Sequence, residues 1–357
     1  MTGTHHPDQV KGRGARSNTA SRHVSHTRDA APDGWAPDDD LPPLRTEVRE
    51  ERPRTVISRN RSPDVAFDRS LNPYRGCEHG CIYCFARPSH AWLDLSPGLD
   101  FETRLIAKPS APDLLAKALS AKTYVPAPLA FGTNTDPYQP IEKDRQIMRR
   151  CLKVCRDFAH PVSIVTKGSL IERDLDILAP MAERGLLEVG ISVTTLDRAV
   201  ARAMEPRVPP PERRLSVIRT LAGAGVPVRV LVAPVIPALT DHEIEPILTR
   251  ARESGACAAS MIPLRLPLEV APLFREWVED AFPDRAARIL GRVRELHGGQ
   301  DYDSRFGTRM EGQGPWAKLL KARFRVAQQR LGYDAGRPLR CDLFKVPPRA
   351  GDQLELF

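Results

Sequence analysis

From about Phe67 to Pro263 the chain alternates short apolar runs with longer stretches whose apolar residues recur at helical spacing. A short apolar run between turn signals reads as a buried strand, and an apolar stripe of 3.6-residue period reads as a helix packed on it. Read this way, strands are predicted over 66–71, 128–132, 162–166, 187–193, 228–235 and 258–263. Helices are predicted over 113–121, 142–158, 170–184, 212–224 and 241–253. Gly225 and Gly255 stand where two of these helices should stop, because glycine takes the left-handed cap conformation without strain. Strands and helices in strict alternation imply an α/β fold around a parallel sheet, and six units imply a partial (βα)6 TIM-like barrel. In such barrels the loops at the carboxyl ends of the strands carry the chemistry.

The alternation fades at both ends. Residues 1–60 are rich in Arg, Asp, Pro, Ser and Thr without an apolar period, and are expected to form a disordered basic and polar tail. The barrel is expected over 61–265. Helices predicted over 270–280, 284–296 and 316–332 make a helical extension over 266–335, and 336–357 is expected to be a flexible tail. No apolar run approaches the roughly 18 to 20 residues that span a bilayer, and the start Met1 to Asp8 lacks a secretory layout. A cytoplasmic protein without a membrane partner is expected. The net charge of +8 favours a polyanion such as DNA, although part of that excess lies in the N-terminal tail.

Seven cysteines include three within eight residues, in the run Asn72-Pro73-Tyr74-Arg75-Gly76-Cys77-Glu78-His79-Gly80-Cys81-Ile82-Tyr83-Cys84. An odd and lopsided set suits metal ligation better than a disulfide framework. Thiolates are the usual ligands of iron–sulfur clusters, and a loop this short can hold three corners of a cubane while leaving the fourth iron open. On the residues alone the alternative is a structural zinc site, which would need a fourth Cys or His; His79, between the first two thiols, is poorly placed for it. Cys151 and Cys155 lie four apart on one face of a predicted helix and read as buried apolar residues, with a second cluster as the alternative.

The Cys-x3-Cys-x2-Cys spacing, with Tyr83 before the last cysteine, resembles the radical S-adenosylmethionine superfamily. That resemblance implies a barrel of the radical S-adenosylmethionine type and a [4Fe–4S] cluster on Cys77, Cys81 and Cys84. It also implies S-adenosyl-L-methionine as cofactor, reductive cleavage to a 5′-deoxyadenosyl radical, and an electron donor such as flavodoxin or ferredoxin. More narrowly, Tyr74 to about Thr240 resembles the spore photoproduct lyase-like branch, also labelled DNA repair photolyase-like. The matching stretches are Gly80-Cys81-Ile82-Tyr83-Cys84-Phe85-Ala86, Thr133-Asn134-Thr135-Asp136, Thr166-Lys167 and Ile191-Ser192-Val193. By that resemblance Asn134, Lys167 and Ser192, with Tyr83, form the S-adenosylmethionine site. Asn and Ser can bond ribose hydroxyls, and Lys can pair with the methionine carboxylate. The branch places a hydrogen-donating cysteine just after its second strand, where this chain has Thr133, a poor hydrogen-atom donor. This departure argues against direct reversal of a thymine dimer by that route.

Beside the cluster run, Arg87-Pro88-Ser89-His90-Ala91-Trp92 offers cationic and aromatic groups for a substrate entrance. Asp136, Glu142, Glu205, Arg207 and Arg213 are candidate mouth charges. The final residues Gln353-Leu354-Glu355-Leu356-Phe357 resemble the peptide by which bacterial DNA polymerases and repair proteins bind the sliding clamp. Gln353 would hydrogen-bond at a groove mouth while Leu354, Leu356 and Phe357 fill apolar pockets. Together these features point to a radical enzyme of lyase or related type acting on DNA, or on a nucleotide within it, in a repair context. Radical modification of RNA or protein, and a non-catalytic metal-containing nucleic-acid adaptor, are the alternatives.

Overall fold

The computed structural model describes residues 3–4, 10–23, 44–334 and 336–348. Six strands form one parallel sheet in sequence order: β1 (Arg69–Leu71), β2 (Leu129–Phe131), β3 (Val162–Thr166), β4 (Leu187–Ser192), β5 (Val228–Val235) and β6 (Ala258–Pro263). An antiparallel two-residue strand, Ser58–Arg59, extends the β1 edge. The hydrogen-bond order is linear from that strand to β6, so the sheet stays open along one side. Pro234, which has no N–H to donate, falls inside the register shift between Val232 and Val235.

The helices are α1 (Ala111–Leu119), α2 (Ile147–Asp157), α3 (Leu175–Glu183), α4 (Pro211–Gly223) and α5 (Ile244–Glu253), followed by α6 (Val270–Ala281), α7 (Pro283–Leu296) and α8 (Gly314–Arg330). Ile164, Val189, Ile191 and Val230 bury one face of the sheet against Leu152, Leu178, Leu221 and Leu248 of α2 to α5. The alternate positions Ser163, Val165 and Leu231 are only half-buried, as the period of two requires for the concave face.

The helix predicted over 142–158 is broken. Gln146 sits at φ 49°, between a short turn Glu142–Arg145 and α2. Glu142 is the cause: its buried carboxylate accepts from the amides of Met148 (3.0 Å) and Arg149 (3.2 Å), capping α2 from the preceding turn. It also accepts from Tyr74 and Arg173, so it is a structural group and not a mouth charge.

A second sheet escaped the sequence pattern because its strands are only two to four residues long. Arg104–Ala107 runs between Glu47–Glu50 (parallel) and Tyr74–Arg75 (antiparallel). The described residues of both flanking segments, 10–23, 44–60 and 336–348, pack on the core, which their composition did not suggest. Of residues 1–60, Val10 and Ala15 are fully buried in the core that surrounds α6 and α7, and Val56 is buried in the barrel core. At the other end Phe344 packs on Tyr124, Phe158 and His160, and Lys345 N donates to Phe158 O (3.0 Å). Residues 336–348 thus lie across the amino-terminal end of the sheet, opposite the catalytic end of such a barrel.

Candidate metal and cofactor site at the barrel mouth

Strand ends assemble the site. After β1, Asn72 Oδ1 accepts the amides of Asn134 (3.0 Å) and Thr135 (3.3 Å), and Asn72 Nδ2 donates to Thr133 Oγ1 (3.2 Å). This ties the first strand end to the second. After β2, Asp136 reaches the third: it accepts from Thr166 Oγ1 (2.6 Å) and Lys167 N (2.8 Å), and lies 3.2 Å from His79 Nδ1 of the cysteine loop. Burial alone would raise the Asp136 carboxyl, but His79 and these hydrogen bonds hold it down at about 2. Asp136 was one of several candidate mouth charges; here it is the carboxylate that joins the cysteine loop to β3.

The cysteine loop is held from both sides. Cys77 and Cys81 are buried and Cys84 is half-buried, all three as free thiols. Burial pushes the Cys77 thiol up and raises Cys81 to about 12, the second against the pull of Lys167. Protein burial alone therefore favours neutral thiols at Cys77 and Cys81; a bound metal is what would favour their thiolates. Gly80 adopts φ 66°, and a side chain there would collide with Glu102. Arg87 is fully buried and donates five hydrogen bonds: to the carbonyls of Cys81 (3.0 Å), Gly80 (3.1 Å), Pro97 (3.1 Å) and Gly98 (2.9 Å), and to Glu102 Oε1 (2.5 Å). The expectation that Arg87 faces a substrate entrance is corrected: its charge is spent entirely on holding the loop. His90 is likewise buried, against the Arg104 carbonyl, and only Trp92 of that stretch is exposed.

Tyr83 and Lys167 come together, with Nζ 5.8 Å from the ring centre. Burial opposes the lysine charge, but Cys81, Glu205 and Asp136 outweigh it and raise its pKa. Tyr83 OH donates to Glu205, whose other oxygen is 2.7 Å from Arg214 Nη2; Arg214 Nη1 donates to the carbonyl of Ser192 (3.1 Å) at the end of β4. The sequence reading named Arg213 and missed Arg214. Arg213 pairs with Glu172, whereas Arg214 is buried. Its position was a usable signal, since 214 falls on the buried stripe of Ile218 and Leu221 along α4. Arg207 approaches Glu78 of the loop at 3.7 Å. Cys151 and Cys155 lie in the apolar core.

Among the described residues no three His, Cys, Asp or Glu groups are arranged to hold a single metal ion. A four-iron cluster is larger than one ion and takes thiols set wider apart. Next to the loop opens a cavity of about 640 Å³, whose lining includes Phe85, Thr133, Asn134 and Tyr302. Among the described residues the charged groups on its wall are Arg75, Lys108, Arg265 and Arg309, with no carboxylate among them. Arg75 pairs with Glu51 and Arg309 with Asp64. Arg265 stacks on Phe85 at 4.6 Å and makes no hydrogen bond or ion pair among the described residues.

The Radical SAM superfamily model matches residues 71–251, the span from β1 to α5. The chain belongs to the radical SAM superfamily. An uncharacterized protein of Mycobacterium tuberculosis (strain ATCC 25618 / H37Rv) is 35% identical over 243 residues, covering 67% of this chain and 70% of the relative. An uncharacterized protein of Methanocaldococcus jannaschii is 30% identical over 200 residues, covering 56% and 71%. Among solved structures, a spore photoproduct lyase mutant with bound AdoMet and dinucleoside spore photoproduct superposes with a TM-score of 0.56 over 80% of each chain, at 15% identity. That likeness is one of fold. The cofactors of this radical SAM chain are those of its family, a [4Fe–4S] cluster and S-adenosylmethionine. Three thiols on one loop, two of them buried, with Lys167 against the Tyr83 ring of that loop, fit both groups.

Proposed function

We propose that this radical SAM enzyme acts on DNA, on a nucleotide carried into the mouth cavity, in a repair context. The observation that carries the substrate reading is the cavity wall: among the described residues it carries cations and no carboxylate, and Arg265, which has no hydrogen-bond or ion-pair partner there, rests on the exposed ring of Phe85. Such a wall suits a phosphate and a base together. The net charge of +8 supports the same reading.

In this reading Cys77, Cys81 and Cys84 hold the cluster through their thiolates. Lys167 would pair with the carboxylate of S-adenosylmethionine, Asn134 and Ser192 would meet its ribose hydroxyls, and Tyr83 would complete the site. The two cofactors, when bound, would supply the radical chemistry that abstracts a hydrogen atom from the substrate. Arg87 and Asp136 keep the loop aligned with the second and third strand ends, and Arg265 orients the incoming phosphate. Thr133 stands in the wall where a thiol would return hydrogen, so the product is expected to differ from that of a simple dimer reversal. A reductant such as flavodoxin or ferredoxin supplies the electron, in the cytoplasm.

The peptide Gln353, Leu354, Leu356 and Phe357 lies outside the described residues. We read it as a ligand of the bacterial sliding clamp. The substrate reading is tested by incubating the reduced enzyme with deuterated damaged DNA: deuterium should appear in 5′-deoxyadenosine. Deuterium transfer from RNA or a peptide, but not from DNA, would replace it.

A further inference from the structure

Residues 10–23 lie on the outer face of the cysteine loop and share one buried carboxylate with it. Glu102 is fully buried. Its two oxygens accept the amides of Gly14 (2.9 Å) and Ala15 (2.8 Å), and one of them also accepts Arg87, which in turn donates to the carbonyls of Gly80 and Cys81. The N-terminal backbone and the cysteine-loop backbone are therefore joined through one carboxylate and one guanidinium. Arg13 adds bonds to the carbonyls of Glu102 (3.1 Å) and Leu44 (2.8 Å). Contact with the loop itself is direct: a side-chain carbon at Gly14 would stand 1.8 Å from the Gly80 carbonyl oxygen. Only a glycine lets the two backbones lie so close.

The rest of the segment is fastened to what surrounds the loop. Leu99 N donates to Ser17 O (3.2 Å), and Asn18 exchanges hydrogen bonds with Asp100, giving Nδ2 to its carboxylate (3.3 Å) and taking its amide on Oδ1 (3.0 Å). Ser17 Oγ donates to Glu276 of α6 (2.7 Å), Ser21 Oγ to the Ala91 carbonyl (3.1 Å), and Arg22 pairs with Glu269 (2.6 Å). Val10 and Ala15 join the same apolar cluster as Cys81 and Ile82.

We propose that residues 10–23 form a strap that is a working part of the cluster site. It fixes the outer side of the Cys77 to Cys84 loop and shuts solvent and oxygen away from the cluster. Gly14 and Arg13 are positioning residues that act through Glu102 and Arg87. A short, polar, glycine-containing segment of this kind has no apolar period to mark it, and its order comes from the buried carboxylate it meets. The proposal rests on the three cysteines being the ligands.

The test uses the full-length chain, reconstituted anaerobically with iron and sulfide, and follows the bleaching of the cluster absorbance in air together with iron content and the electron paramagnetic resonance of the reduced cluster. Gly14→Val should bleach roughly five- to tenfold faster, the ratio set by losing one or two hydrogen bonds that hold the strap closed. Its reduced-cluster spectrum should broaden, while circular dichroism of the apoprotein stays unchanged. Asn18→Ala, which loosens the strap away from the cysteines, should show a smaller acceleration and decides the matter should Gly14→Val fail to fold. Wild-type bleaching rates and spectra in the variants that fold would overturn the strap alone. A wild-type chain that takes up no iron would overturn the ligand assignment and the strap with it.

Discussion

Arg87 and Arg265 are the same residue type on two sides of one barrel mouth, and they face opposite things. Arg87 is fully buried and gives five hydrogen bonds to the protein, four to backbone carbonyls and one to Glu102. Arg265 is half-buried on a cavity wall, rests on Phe85, and has no hydrogen-bond or ion-pair partner among the described residues. A guanidinium whose donors are all satisfied by the chain holds the chain in place. One that has lost water without gaining a partner is held ready for an anion. The cluster side of the mouth is built to stay fixed, and the cavity side is built to be filled.

Breaking the first side should have the larger effect on stability. Arg87→Ala leaves the Glu102 carboxylate buried without its cation, which costs about 3–5 kcal/mol. Urea unfolding of the apoprotein checks this, and reconstituted iron content should fall with it. A loss below about 1 kcal/mol would mean that the pair does not brace the loop.

The far end of the sheet calibrates that comparison, because its buried polar group should register as pH dependence. His160 is fully buried beneath Phe344, and burial lowers its pKa to about 4 from an ordinary 6.5. The folded state thus favours the neutral ring. Its contribution is fully present above pH 6.5 and is lost as the pH falls from there toward 4, about 3 kcal/mol in all. Unfolding measured between pH 7 and 4 should show this decline, and His160→Gln should flatten it.

Arg265→Ala is expected to give the smallest change and the most selective one. Stability should stay within about 0.5 kcal/mol of the parent. Affinity for a single-stranded oligonucleotide should drop about tenfold and the salt dependence of binding should fall by about one charge, read by titration at several salt concentrations. A variant that loses stability but keeps its affinity would reverse the roles assigned to the two arginines.

Much of the barrel was legible in the chain because its strands are apolar and its helices periodic: 162–166, 228–235 and 258–263 fall where they were expected. What escaped was held by single polar contacts without a period. The break at Gln146 follows from one inward carboxylate, Glu142, and residues 10–23 are joined to the cysteine loop through another, Glu102. The cysteine triplet was plain because its spacing is itself the signal. Asn134, Lys167 and Ser192 could be placed at strand ends, yet the groups that position them, Asn72, Asp136 and Arg214, are drawn together only by the fold. Arg87 was misread for the same reason, since a cation beside a cysteine loop looks alike whether it points outward or in.

The central claim is that Cys77, Cys81 and Cys84 hold the cluster that drives cleavage of S-adenosylmethionine. Its most direct test is to quantify 5′-deoxyadenosine formed anaerobically with dithionite by the reconstituted wild-type chain and by Cys81→Ala. The wild-type chain should be brown and form 5′-deoxyadenosine, and the variant should form none. A colourless wild-type chain, or equal product from Cys81→Ala, would contradict it.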